Sequence, residues 1–131
     1  MSMIETATTE ALGRFLDVDV GRLKLIAANL ANIDTPGYRT RDLDFRAELA
    51  RASFQEAGEM YSYAAYVPYA PVAKRVRGLI ERPDGNNVSV ERESLLLAET
   101  QMKYNLAVQL LKDEFHTISQ AINSGGGASS S

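Results

Sequence analysis

Apolar residues step by four and three at both ends of this chain. Leu12, Leu16, Leu23, Ile26, Leu30 and Ile33 fall on one helical face, with Asp19 the polar residue in the series, which predicts an amphipathic helix over 9–33 with a coiled-coil-like seam. Ala27, Ala28 and Ala31 flank that seam and allow close approach of a partner backbone. Gly21 lowers helix propensity by about 1 kcal/mol relative to Ala, so Asp19 to Gly21 is expected to form a softer joint. The second stripe is cleaner: Leu97, Tyr104, Val108, Leu111, Phe115, Ile118 and Ile122, interrupted by Gln101. It predicts a helix over 89–122, roughly 50 Å long. Ser89 is its N-cap, and Glu91 and Glu93 lie in a first turn where negative charge complements the helix dipole. Asn123-Ser124-Gly125 should end it, leaving 124–131 as a flexible tail.

Between the stripes the periodicity breaks. Pro36 lacks an amide donor and forces Thr35 out of the helical region, so the first helix must stop before Thr35. Asn32 and Asp34 read as C-terminal caps. Thr35-Pro36-Gly37-Tyr38 fits a type II turn, with Pro at its second position and Gly supplying positive φ at its third. Asn29 has two readings, a solvated helix residue or a buried polar contact that fixes the register of a neighbouring helix. Arg39, Arg41, Asp42 and Asp44 then alternate in charge, with Leu43 and Phe45 as anchors. Asp44 can cap a short helix from Phe45 to about Ala57 whose Leu49, Ala50 and Phe54 face one way, with Gly58 ending it.

From 59 to 71 the chain is tyrosine-rich (Tyr61, Tyr63, Tyr66, Tyr69) and broken by Pro68 and Pro71, which favours a looped path. A short strand over 76–80 is expected, stopped by Pro83-Asp84-Gly85. The predicted fold is mainly α: two long terminal helices in a coiled-coil-like pair and an irregular middle segment, 34–88, with a short helix and a little β. Residues 1–123 form one elongated domain.

Composition removes several function classes. The 131 residues carry a net charge of −3 and no cysteine. There is no disulfide framework, and no basic stripe of the kind that neutralises nucleic-acid phosphates. No run of about 18 apolar residues could enter a bilayer, and the N-terminal stretch lacks the basic and apolar regions of a cleaved signal. His116 is the single histidine. With no Gly-rich phosphate loop and no metal-ligand spacing around it, the sequence predicts no enzyme, cofactor or metal. Lys74, Arg75, Arg77 and Arg82 form a local basic patch, either a solvated edge or a salt-bridging site for an acidic neighbour.

ANLANIDTPGY at 28–38 followed by RTRDLDF at 39–45 resembles the N-terminal signature of the flagellar basal-body rod protein family, with Asn29, Asn32, Thr35, Pro36, Gly37, Tyr38, Arg41, Asp42, Asp44 and Phe45 carrying the match. GNNVSVERE at 85–93 and the helix after it are similar to the C-terminal region of its proximal-rod members. The resemblance leaves about 46–80 unassigned. It implies a structural subunit of the rod, with terminal helices lining the axial tube. The implied partners are copies of itself, other rod subunits, the export apparatus and basal-body ring components. Export would use no cleaved signal, to a periplasmic rod in the basal body. The stripes independently suggest an assembly, because two helices alone leave the flanks of each stripe in water. A cytosolic coiled-coil adaptor or chaperone of fixed oligomeric size is the rival reading.

Overall fold

The computed structural model describes residues 3–58 and 69–129. Helix α1 runs Met3–Ala31, strand β1 Arg41–Asp42, helix α2 Phe45–Gly58, strand β2 Lys74–Arg75 and helix α3 Val90–Ser129. The protein is mainly α, with two long terminal helices, a short middle helix and a two-stranded ribbon. Tyr61, Tyr63 and Tyr66 lie outside the described residues.

Helices α1 and α3 form an antiparallel hairpin. Asn29, near the end of α1, bonds Glu93 at the start of α3, and Asp19, midway along α1, feels the charge of Lys103 ten residues further on. Helix α2 packs against α1 through Val18, Leu43 and Ala52, with Leu25, Phe45, Leu49 and Tyr69 around them. Phe15 meets Phe45 edge-on at 5.1 Å between ring centres, and the Lys103 ammonium lies 4.8 Å over the Phe45 ring from the α3 side. One aromatic ring thus joins all three helices.

Several boundaries differ from the sequence expectation. Helix α1 begins at Met3 and ends at Ala31, so Ile33 lies beyond it. Helix α3 passes through Asn123-Ser124-Gly125 and runs to Ser129. Asp44 caps α2, accepting from the Ala47 amide at 3.2 Å, but Ala50 is exposed while Glu48 and Ala52 are buried. That rotation arises because Glu48 receives bonds from the 69–72 segment. The expected strand over 76–80 is replaced by Lys74–Arg75, which pairs antiparallel with β1 in the register Arg41 to Arg75 and Asp42 to Lys74. Backbone pairing of so short a ribbon is decided by what packs beneath it rather than by its own β propensity.

The softer joint does not form. Helix α1 is continuous through Gly21, whose missing side chain instead admits Pro71: a Cβ there would lie 2.4 Å from the proline Cγ. Two effects compete in Gly21→Ala. Better helix propensity contributes about 1 kcal/mol, whereas forcing the Pro71 segment aside costs about 1 to 3 kcal/mol. The expected outcome is a net loss of stability, measured by denaturant unfolding; a stabilised variant would mean that the Pro71 contact yields freely.

Candidate functional site

The end of α1 is closed by its own side chains. Asn32 donates from Nδ2 to the Ala28 carbonyl at 2.8 Å, and Thr35 donates to Asn32 Oδ1 at 3.1 Å. The Tyr38 amide bonds the Thr35 carbonyl at 3.2 Å across the turn, with Gly37 at φ +75°. This is the turn that Pro36 and Gly37 predict. Asn32 caps by bonding a carbonyl and not by entering the left-handed region, which among the described residues only glycines occupy.

The second resembling stretch folds onto the first. Asn86 Nδ2 donates to the carbonyls of Asn32 and Thr35, both at 2.9 Å, and Arg82 donates to the Ile33 carbonyl. The Gly37 amide bonds the Asp84 carbonyl at 2.9 Å, and the Asn87 amide bonds the Tyr38 carbonyl. Asn87 Oδ1 accepts from the Thr40 amide at 2.7 Å. Residues 82–87 therefore supply the polar partners of the turn that follows α1. Two sequence signatures some fifty residues apart form one clasp.

Beneath the clasp lie two hubs. Asn29 is 1% exposed and uses its whole amide. Its Nδ2 donates to the Arg41 carbonyl at 2.8 Å and to Glu93 Oε2 at 3.1 Å. Its Oδ1 accepts from the Tyr38 hydroxyl at 3.0 Å and the Arg41 amide at 3.1 Å. Burial holds the Tyr38 phenol above its ordinary pKa, so it stays a donor. Asn29 is thus the buried contact that fixes helix register, and it also fills the outer edge of β1.

Asp42 is the second hub. The Arg22 guanidinium grips it with two bonds of 3.1 and 3.0 Å, Arg92 adds one of 2.7 Å, and the Leu43 amide another of 2.8 Å. Burial alone would raise the Asp42 pKa; bonds from Arg22, the Leu43 amide and Arg92 overcome that and hold it below the usual carboxylate value. Arg92 also reaches Glu93 at 2.7 Å, closing a network that ties α1, β1 and α3 together. Arg22, Arg92, Asn86, Asn87 and the fully buried Glu93 were not singled out from sequence as site residues. Glu93 in particular reads as a first-turn dipole residue until tertiary contacts are known.

Asp19 behaves differently. It is fully buried, and neither carboxylate oxygen has a hydrogen-bond partner among the described residues. Desolvation raises its pKa from 3.8 to about 6, against the pull of Lys103 and Arg22. Both cations are committed elsewhere, Lys103 to Glu99 at 2.9 Å and Arg22 to Asp42, so they help only through space. A carboxyl whose folded pKa is raised contributes stability below its unfolded value and loses it as pH rises through the folded value. The difference in unfolding free energy between wild type and Asp19→Asn should therefore change by about 2 to 3 kcal/mol between pH 4 and pH 7, with wild type relatively better at pH 4. A difference independent of pH would show that Asp19 is solvated in solution.

The predicted seam is divided. On α1 the buried positions are Val18, Asp19, Ile26 and Asn29, while Leu12, Leu16, Leu23 and Leu30 are half-buried. On α3 the buried line is Glu93, Thr100 and Ala107, with Leu97, Val108, Leu111 and Ile118 half-buried beside it. Tyr104, Phe115 and Ile122 are exposed, as are Leu95, Met102, Leu106 and Leu110. The intrachain face is therefore rotated by about one residue from the apolar stripe, because the polar contacts at Asn29 and Glu93 set the rotation of both helices.

Among the described residues no cluster of three His, Cys, Asp or Glu could hold a metal, and no helix is long and apolar enough to cross a membrane. His116 is exposed on the distal part of α3. An apolar groove of about 530 Å³ lies between α1 and residues 69–73, with Asp17 and Lys24 among its lining residues.

A helical hairpin locked by a polar clasp, with apolar residues left outward along its longer helix, defines a structural protein of the assembling kind. A family model described as flagella basal body rod protein matches residues 21–39, the end of α1 and the turn. The FlgB rod protein of Cereibacter sphaeroides (strain ATCC 17029 / ATH 2.4.9) is 36% identical over 109 residues, covering 77% of this chain and 82% of that protein. FlgB of Salmonella typhimurium is 29% identical over 122 residues, covering 84% and 88%, and that of Borrelia hermsii is 30% identical over 122 residues, covering 83% and 90%. The chain belongs to the FlgB family of flagellar basal body rod proteins, and its role is structural.

Proposed function

We propose that this chain joins the proximal rod through the apolar face of α3 that its own fold leaves open. The observation that carries this reading is the row Leu95, Met102, Leu106 and Leu110, each exposed by nearly half or more and directed away from the buried line at Glu93, Thr100 and Ala107. The half-exposed seam positions Tyr104, Phe115 and Ile122 lie roughly opposite that row on the helix and add a second apolar line, and the exposed Ala27, Ala28 and Ala31 of α1 permit close helix approach. Such an amphipathic surface gains its stabilisation by burial against neighbouring helices. A head-to-tail contact between unlike faces propagates an open filament rather than a closed dimer, which suits an axial rod. Copies of the chain, other rod subunits, the basal-body ring and the export apparatus are the proposed partners. Passage without a cleaved signal to the periplasmic part of the basal body is the proposed route. No catalytic role is assigned.

Leu106→Glu is the test. Leu106 is 59% exposed, so the substitution should change monomer stability by less than about 0.5 kcal/mol, yet a carboxylate buried unpaired at a subunit contact costs several kcal/mol. Secretion at wild-type level with loss of rods and motility is the expected result, with Lys112→Glu as a silent control. Normal recovery of basal bodies from secreted Leu106→Glu subunits would remove this face from assembly and favour a discrete cytosolic oligomer.

A further inference from the structure

The β1–β2 ribbon carries an unusual charge arrangement. Arg41 stands directly opposite Arg75 in the register. Because side chains alternate along a strand, Arg39 and Arg77 belong to the same outward side as that pair. Thr40 and Asp42 occupy the other side, where Thr40 meets Asn87 and Asp42 meets Arg22 and Arg92. Arg39, Arg75 and Arg77, with Lys74, line a groove of about 880 Å³. Only Arg39 of these has a carboxylate among the described residues, the exposed Glu81 at 3.0 Å. Like charges directly across a ribbon destabilise it, and a ribbon this short has few backbone bonds to offset them. In a chain of net charge −3, this concentration of cations stands against an otherwise acidic surface.

The two edges of the ribbon are not equivalent. The outer edge of β1 is occupied by the Asn29 amide, which bonds both the N–H and the C=O of Arg41. Among the described residues strand β2 has β1 as its only neighbour in the sheet, and Val76 continues that pairing by donating to the Thr40 carbonyl. Among the described residues nothing pairs with the far edge of β2. The site therefore offers main-chain partners along one line and guanidinium groups beside it. We propose that this edge binds an extended acidic segment of a partner polypeptide, which adds as a third strand on β2 while its carboxylates engage Arg75, Arg77, Arg41 and Arg39. A polypeptide uses both features, whereas a phosphate-bearing lipid surface or nucleic acid uses the charge alone. Arginine suits the role because its planar fork meets a carboxylate with two parallel bonds, and edge addition is an established mode of peptide recognition.

The test uses the full chain in solution at low ionic strength, where exposed charges are least screened, and does not depend on rod assembly. A fluorescent oligo-glutamate peptide is the probe, compared with the same peptide N-methylated at alternate amides and with vesicles containing phosphatidylglycerol. The expected result is that the unmethylated peptide binds, the methylated one binds more weakly, and Arg75→Glu with Arg77→Glu weakens binding about ten-fold, while Lys112→Glu does not. Circular dichroism verifies the fold, and Arg75→Gln with Arg77→Gln replaces the double reversal if the latter unfolds. Absence of peptide binding, equal binding of the methylated peptide, or preference for the vesicles would each overturn the proposal. So would self-association of the unliganded chain that is lost in the double variant, since that would assign the edge to a second copy.

Discussion

Asn29→Leu should destabilise the isolated chain by about 3 to 5 kcal/mol, measured by denaturant unfolding of the two proteins side by side. Leucine keeps the branched shape and the number of side-chain heavy atoms and favours a helix more, so no cavity is opened and propensity does not account for such a loss. The cost comes from what remains behind. Glu93 loses the neutral donor that shares its buried carboxylate with Arg92, the Tyr38 hydroxyl loses its acceptor, and the Arg41 amide and carbonyl lose both partners at the edge of β1. Asn29→Asp is a second arm: the oxygen can still accept, but the donor is lost and a charge faces Glu93, so it should be no better than leucine. A loss below about 1 kcal/mol for Asn29→Leu, the ordinary value for a single hydrogen bond, would mean that water replaces the amide and that the network is not cooperative.

The second large effect is expected at Asp42. Asp42→Ala leaves Arg22 and Arg92 facing each other without their shared anion, in a site where Arg22 is 14% and Asp42 11% exposed. Removing one member of such a buried ionic group costs about 3 to 5 kcal/mol. The pH dependence separates this from simple loss of packing. Since the folded pKa of Asp42 is lowered, its contribution is fully present above about 3.8 and is lost as pH falls through the lower folded value. The stability gap between wild type and Asp42→Ala should therefore hold from pH 7 to pH 4 and narrow only below that. A gap that stays constant as pH falls below 4 would mean that Asp42 titrates as a solvated carboxylate, with the same affinity for a proton folded and unfolded. The window between pH 4 and pH 6 belongs to Asp19, whose shift runs the other way, so the two aspartates are distinguished by where their curves bend.

The two hubs also explain how the resembling stretches relate. From sequence they are two separate signatures, one ending a helix and one opening another. In the fold, Asn86 bonds the carbonyls of Asn32 and Thr35 in the turn that follows α1, Asn87 holds the Thr40 amide, and Glu93 completes the amide of Asn29. A substitution in either stretch is thus expected to loosen the other, and the double substitution Asn29→Leu with Asn86→Leu should cost less than the sum of the singles, because residues in one hydrogen-bond network are not additive.

The sequence by itself determined the features that depend on neighbours along the chain. Pro36 and Gly37 fix the turn, since one removes a donor and the other tolerates a φ of +75°. Ser89 and Asp44 open their helices because a short oxygen-bearing side chain suits a free helix amide, and the four-and-three stepping marks both long helices. Tertiary structure decided which side of each helix faces inward. Apolar periodicity is nearly satisfied over a range of rotations, and on α3 it runs almost all round, through Leu95 and Leu106 as well as Leu97 and Leu111. A few polar contacts of high cost if unmade select one rotation: Asn29 must reach Glu93, and Arg22 and Arg92 must both reach Asp42. Those pairs are separated by 20 to 64 residues, and no local pattern encodes them. The burial of Asp19, the close approach of Pro71 to Gly21 and the facing arginines of the ribbon likewise arise only when distant segments meet, which is why none of them was legible before the fold.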